Sequence, residues 1–130
     1  MNDKTLYWLA LCDDDLLTAK ALLNSKRLLH MGFFCHLIVE KALKATVSEA
    51  TGGVPPKTHD LEKLATIGGI VMDLPDEYLE LLDILGPLNI EARYPSNKAE
   101  IAAALTFESC RELLSQTEEF LCWIKHWLDK

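Results

Sequence analysis

The chain has 130 residues, 49% of them hydrophobic and 25% charged, with a net charge of -7 and a pI near 5.0. That length and balance fit one globular domain spanning residues 1–130, with a core of its own, and not two. The acidic balance excludes broad, nonspecific nucleic-acid binding, though not a local basic cleft.

The opening segment MNDKTLYW lacks a basic stretch followed by an apolar block, so no secretory leader is predicted. No apolar run reaches the ~18 residues that mark a membrane span. Cys12, Cys35, Cys110 and Cys122 form no C-x-x-C pair and have apolar, helix-like neighbours. They read as buried, reduced thiols of a cytoplasmic protein, and without paired spacing they predict no metal site.

A first helix is predicted from Asp3, a short acceptor suited to capping free N–H groups, to the polar turn Asn24-Ser25-Lys26. Its expected apolar face holds Leu6, Leu9, Leu16, Leu17, Ala21 and Leu23, with Asp13, Asp14 and Lys20 on the wet side. The run Asp13-Asp14-Asp15 reads as a solvated face, since adjacent helix positions point in different directions.

A second helix is predicted from about Leu28–Gly32 to Glu49, stopped by Gly52-Gly53 and Pro55-Pro56. It is apolar nearly all round, which places it centrally in the fold. His36, Glu40 and Lys44 nevertheless rise along it in one row at i, i+4 and i+8. A charged row on such a helix needs partners or a cleft. The breaker-rich loop GGVPPKTHD follows; with no strand before it and no GK[ST] after it, it is not a phosphate loop.

Thr58 is the expected cap of a short third helix ending at Gly68-Gly69, with Asp60 in its first turn. Pro75 marks the first turn of a fourth helix, DEYLELLDIL, which Gly86-Pro87 ends. Pro95 forces Tyr94 out of the helical region, and Asn97 with Glu100 resembles a capping box. A last helix is then predicted from about Lys98 to Leu128, roughly 45 Å long at 1.5 Å per residue. A helix of that length bends or packs its end on a second subunit. The fold class is all-α: a five-helix, up-and-down antiparallel bundle with a long C-terminal helix.

Three local runs occur in a set order: VEKALKA (Val39 to Ala45), THDL (Thr58 to Leu61) and ARYP (Ala92 to Pro95). Together, on this helical pattern, they resemble the HEPN domain family over essentially the whole chain. The resemblance implies a helical bundle that forms homodimers, associates with minimal nucleotidyltransferases, often in toxin–antitoxin-like pairs, and binds nucleotide or RNA. The positions that match are Glu40, Lys41, Lys44, His59, Arg93 and Tyr94. Many HEPN proteins are RNases that use an Arg and a His with about four to six residues between them. Here Arg27 is followed at those offsets by Gly32, Phe33 and Phe34. Arg93 is followed by Lys98, Ala99 and Glu100, and Arg111 by Gln116, Thr117 and Glu118. The pattern is missing, so no catalytic residue is assigned.

Two readings of these residues stand side by side. In one, Lys44, Arg93 and Lys41 hold phosphate, with Glu40 orienting the Arg93 fork and Tyr94 stacking on a base. In the other, Glu40 and Arg93 form an internal ion pair that fixes the ARYP loop. His59 reads as a first-turn residue bonded to the preceding loop, or as a base if a reactive hydroxyl comes within reach. His36 reads as a satisfied helix histidine; a His36–Glu40 zinc pair lacks a third ligand, so neither metal nor cofactor is expected. Trp123 and Trp127, one turn apart, read either as core or as a protein–protein surface. The functional expectation is a binding module presenting a small basic cleft, with an RNase toxin of degenerate site or an antitoxin-like structural subunit as alternatives.

Overall fold

The computed structural model describes residues 1–89 and 95–130. They form six α-helices: α1 (Asp3–Asn24), α2 (Leu28–Thr51), α3 (Leu61–Gly68), α4 (Asp76–Leu85), α5 (Pro95–Ala104) and α6 (Phe107–Leu128). Short 3-10 turns at Val71–Asp73 and Gly86–Asn89 flank α4, and no strand occurs among the described residues. None of these helices is long and apolar enough to cross a membrane.

The all-α reading holds, and α2 is its centre. This helix packs along α1 and also against α3, α4 and α6. Residues from Met31 to Ser48 are buried on nearly every side of it. That is the outcome expected of a helix with no continuous polar face. Phe120 and Ile124 of α6, Leu81 and Leu85 of α4 and Leu64 of α3 share one buried core with Met31, Ile38 and Leu43 of α2. Gly52, at φ 71°, closes α2 in the left-handed conformation that only glycine adopts freely.

Several boundaries differ from the sequence-based expectation. The long C-terminal helix is two helices. Thr106 accepts from the Ser109 amide at 3.1 Å while Ser109 Oγ accepts from the Thr106 amide at 3.0 Å, and this reciprocal cap starts α6 afresh. α5 begins at Pro95, so Asn97 lies inside a helix and does not open one. Asn2 caps α1 in place of Asp3, and Asp60 caps α3 in place of Thr58.

On α1 the buried face is Thr5, Leu9, Cys12, Ala19 and Leu23, whereas Leu6 and Leu17 are exposed. Both lie roughly 60–80° round the helix from Leu9 at 100° per residue. Cys12, Cys35 and Cys110 are buried free thiols, as expected, and burial pushes Cys35 up to about 12. Cys122 departs from that expectation and is exposed.

Candidate functional site

The His36–Glu40–Lys44 row converges on one carboxylate. Glu40 sits midway along α2 with its side chain only 5% exposed. Helical spacing places His36 one turn before it and Lys44 one turn after. His36 Nε2 lies 3.3 Å from Glu40 Oε1, and Lys44 Nζ donates to Oε2 at 3.0 Å. A third partner arrives from outside the helix: His59 Nδ1 donates to Oε1 at 2.7 Å. The loop between α2 and α3 carries His59 there. Its entry is set by Gly52 and its exit by Asp60, whose side chain accepts from the Lys63 amide at 3.1 Å.

Burial pushes the Glu40 carboxyl up, but hydrogen bonds from His36, His59 and Lys44, with the Lys44 charge, outweigh it and bring it down to about 2. Glu40 is therefore a carboxylate at neutral pH, and its charge is the reason that the cluster holds together. His36 Nδ1 also lies 2.9 Å from the Leu85 carbonyl, so the cluster ties α2 to the C-terminal end of α4. Lys44 is only 12% exposed, with its ammonium 5.5 Å from the centroid of the Trp8 ring. The cluster thus joins α1, α2, α4 and the loop before α3.

Of the residues singled out from sequence, Glu40, Lys44 and His59 come together, joined by His36. Lys41 does not join them. One position on from Glu40 it points about 100° away, toward α1, where it pairs with Asp15 at 2.5 Å. Arg93 and Tyr94 lie outside the described residues. His59 bonds to Glu40, not to its preceding loop. Trp123 meets Tyr78 edge-on at 6.1 Å, and Trp127 Nε1 donates to Asp73 at 2.9 Å, so both tryptophans are half-buried packing partners. Asp13 is exposed and pairs with Lys125 at 2.6 Å, but Asp15, only 13% exposed, turns in to Lys41, so the acidic run is not a solvated face throughout.

The residues that sequence reasoning missed are Trp8 and Asp15, as partners of Lys44 and Lys41, and the Leu85 carbonyl. No spacing signal connects them, because they come from other helices.

The cluster is nearly closed. His59 is its most exposed member, with 55% of its side chain open to solvent. Its Nδ1 is committed to Glu40, and Nε2 has no partner among the described residues. The ring borders a cleft of about 280 Å³ that Leu61, Glu62, Leu82, Asp83 and Gly86 also line. Asp83 raises the Glu62 carboxyl by hydrogen bonding and like charge across this cleft. Lys57 and Lys63, both exposed, flank His59 in the chain. Among the described residues, no group of His, Cys, Asp and Glu side chains is arranged to hold a metal ion.

An all-helical bundle stitched through a buried carboxylate on its central helix defines the class. Comparison with known proteins specifies it. The model of the HEPN domain matches residues 5–127, and the chain belongs to the HEPN family. The chain is similar to the crystal structure of TT1696 from Thermus thermophilus, with a TM-score of 0.79 at 21% identity over 96% of this chain and 98% of that one. It is also similar to ST0689, an archaeal HEPN homologue, with a TM-score of 0.72 at 18% identity over 98% and 99% of the two chains. At such identities these likenesses speak for the fold. No curated protein matches the chain.

Proposed function

We propose that this chain is a HEPN binding module: a homodimeric helical subunit, partnered by a minimal nucleotidyltransferase, that takes nucleotide or RNA where His59 emerges from the Glu40 cluster. The observation that carries this reading is the closure of the cluster around Glu40. Three side chains hold the carboxylate, and of these the His59 ring is the one largely exposed to solvent. Lys44 is committed to Glu40 and lies against Trp8, with only 12% of its side chain exposed, so it has little to offer a phosphate. Ligand contact therefore falls to His59, to the flanking Lys57 and Lys63, and to Arg93 and Tyr94 of the ARYP run.

The reading is non-enzymatic because no arginine in the chain has a histidine at the RNase spacing. Fluorescence anisotropy with a labelled single-stranded RNA tests it. Binding is expected at low salt and falls steeply as salt rises, as it does for a few phosphate contacts. Cleavage of that RNA by the wild-type chain, lost in Arg93→Ala, sinks the non-enzymatic reading.

The same closure favours a second reading, a structural or antitoxin-like subunit in which the cluster only fastens the His59 loop. It predicts that RNA binding is absent at any salt concentration while Glu40 substitutions still destabilise the fold.

A further inference from the structure

Between α4 and α6 the bundle leaves an open groove of about 450 Å³. Leu88, Leu105 and Leu113 make its floor, and Ile84, 52% exposed, stands on its lip. Leu88 and Leu105 rest on Gly32 of α2, where a Cβ would lie 3.2 Å from the first and 3.8 Å from the second. The floor is therefore backed by the central helix. The walls are rows of two helices: Ile84 belongs to α4, and Glu112 and Gln116 stand one turn apart on α6. A seam of this kind is where a further helix packs its ridges. The rim carries one sign of charge. Four of the ten residues of α4 are acidic and none is basic. Glu77 and Glu80 lie two turns and one turn before Ile84, on its face of the helix. Glu119, two turns beyond Glu112, continues the α6 row. Burial, and then the charges of Glu77 and Glu119, push the Tyr78 hydroxyl up, so an acid from each helix lies near that ring. None of these four carboxylates has an ion-pair partner among the described residues.

That charge decides among occupants. A nucleic acid or an anionic lipid surface is repelled by it. A second copy that met this groove with its own would set acid against acid. Nor does a second copy have a suitable helix to insert, since none of α1 to α6 carries a net positive charge. We infer that the groove between α4 and α6 is a docking site for a basic amphipathic helix of another protein. Its apolar residues, at i, i+3, i+4 and i+7, cover Ile84 and the three leucines, and its Lys and Arg residues meet Glu77, Glu80, Glu112 and Glu119. The His59 cleft lies on the α3 side of α4, so this docking stands whether or not RNA binds there.

Two synthetic peptides of about 15 residues, long enough to form a helix, probe the full chain. One sets Leu at i, i+3, i+4 and i+7 with Lys between; the other has the same Leu and Lys content in scrambled order. By fluorescence anisotropy the patterned peptide is expected to bind about tenfold tighter than the scrambled one. Ile84 is exposed, so Ile84→Gln should fold as the wild type does and bind the patterned peptide about five- to tenfold more weakly. Glu80→Gln combined with Glu112→Gln should flatten the salt dependence of binding. Leu17→Gln, at an exposed position of α1, should change nothing. Equal binding of the two peptides overturns the inference, because attraction to net charge alone gives that result. An absence of binding overturns it as well, whatever covers the groove. Binding that survives Ile84→Gln intact, or that falls as far in Leu17→Gln, puts the site elsewhere and has the same force. If Ile84→Gln turns a dimer into a monomer in sedimentation velocity, the groove is a contact between two copies and the inference falls.

Discussion

His59 Nδ1 lies 2.7 Å from Glu40 Oε1, so a residue of the loop before α3 is held by a carboxylate in the middle of α2. Nineteen positions of chain separate the two. The bond closes the segment GGVPPKTHD back onto the helix that it leaves. It also gives Glu40 a third partner from outside α2, which makes a buried charge on an otherwise apolar helix tolerable.

Removing that carboxylate is expected to be costly. In Glu40→Ala the Lys44 ammonium and both histidines lose their shared acceptor, and Lys44 remains largely buried. Breaking a buried pair from one side costs about 3–5 kcal/mol. Glu40→Gln keeps one acceptor oxygen and is expected to cost less than Glu40→Ala. Urea unfolding of both variants measures this. A loss below about 1 kcal/mol in Glu40→Ala would show that the cluster does not hold the bundle together.

Acid should act through the same group. The Glu40 carboxyl is brought from its ordinary 4.5 down to about 2, so the unfolded chain binds this proton more readily than the folded one. The stabilisation is complete above pH 4.5 and is lost as pH falls through about 2. At 1.36 kcal/mol per unit this amounts to about 3 kcal/mol at neutral pH. Unfolding midpoints in urea, followed downward from neutral pH, should show this acid limb in the wild type. In Glu40→Gln, which has no carboxyl to protonate, the limb should be shallower. Parallel curves for the two proteins would assign the acid sensitivity to other carboxylates.

The central row was legible in sequence because helical periodicity is rigid: residues four apart must share a face, so His36, Glu40 and Lys44 had to meet. Lys41 was grouped with Lys44 as a phosphate ligand, although one step of 100° from Glu40 turns it toward α1, where it meets Asp15. The third partner of Glu40 was not legible, since nothing in the spacing of a Pro- and Gly-rich loop says how far back it folds. The break between α5 and α6 was hidden by Ala102, Ala103 and Ala104, strong helix formers that read straight through it. Its one signal is Thr106 with Ser109 three residues on, a weaker version of the Ser/Thr-to-Glu/Gln pattern. The exposed Leu6 and Leu17 were misplaced because α1 carries apolar residues on both of its faces.

That cap yields its own prediction. Thr106 accepts from the Ser109 amide and donates its own amide to Ser109 Oγ. Thr106→Ala should lower stability by about 1 kcal/mol, the usual loss for an N-cap hydroxyl. Thr106→Asn, which keeps a short acceptor, should recover most of it. Equal losses in both variants, read by thermal unfolding, would remove the cap as the cause of the helix break.

The close packing of α3 on α2 supplies a sharper test, because the expected sign runs against helix propensity. Gly68 ends α3, and on an exposed helix a change to alanine would stabilise by roughly 1 kcal/mol. Here a Cβ at position 68 would lie 2.1 Å from Thr46 Oγ1 and 3.4 Å from the Thr46 backbone carbon. Thr46 is fully buried, and its hydroxyl donates to the Leu43 carbonyl at 2.6 Å, so it has neither space nor freedom to turn away. Gly68→Ala should therefore push α3 off α2 and destabilise by about 1–3 kcal/mol, the usual range for overpacking. Thr46→Ala removes the obstructing oxygen and leaves the Leu43 carbonyl to its helical amide. The double variant Gly68→Ala/Thr46→Ala should be more stable than the sum of the single losses implies, giving a favourable coupling of about 1 kcal/mol or more. Additive losses in urea unfolding would mean that the two helices separate easily at this point. The close approach of α3 to α2, which carries the loop back to Glu40, would then not be what sets the position of His59.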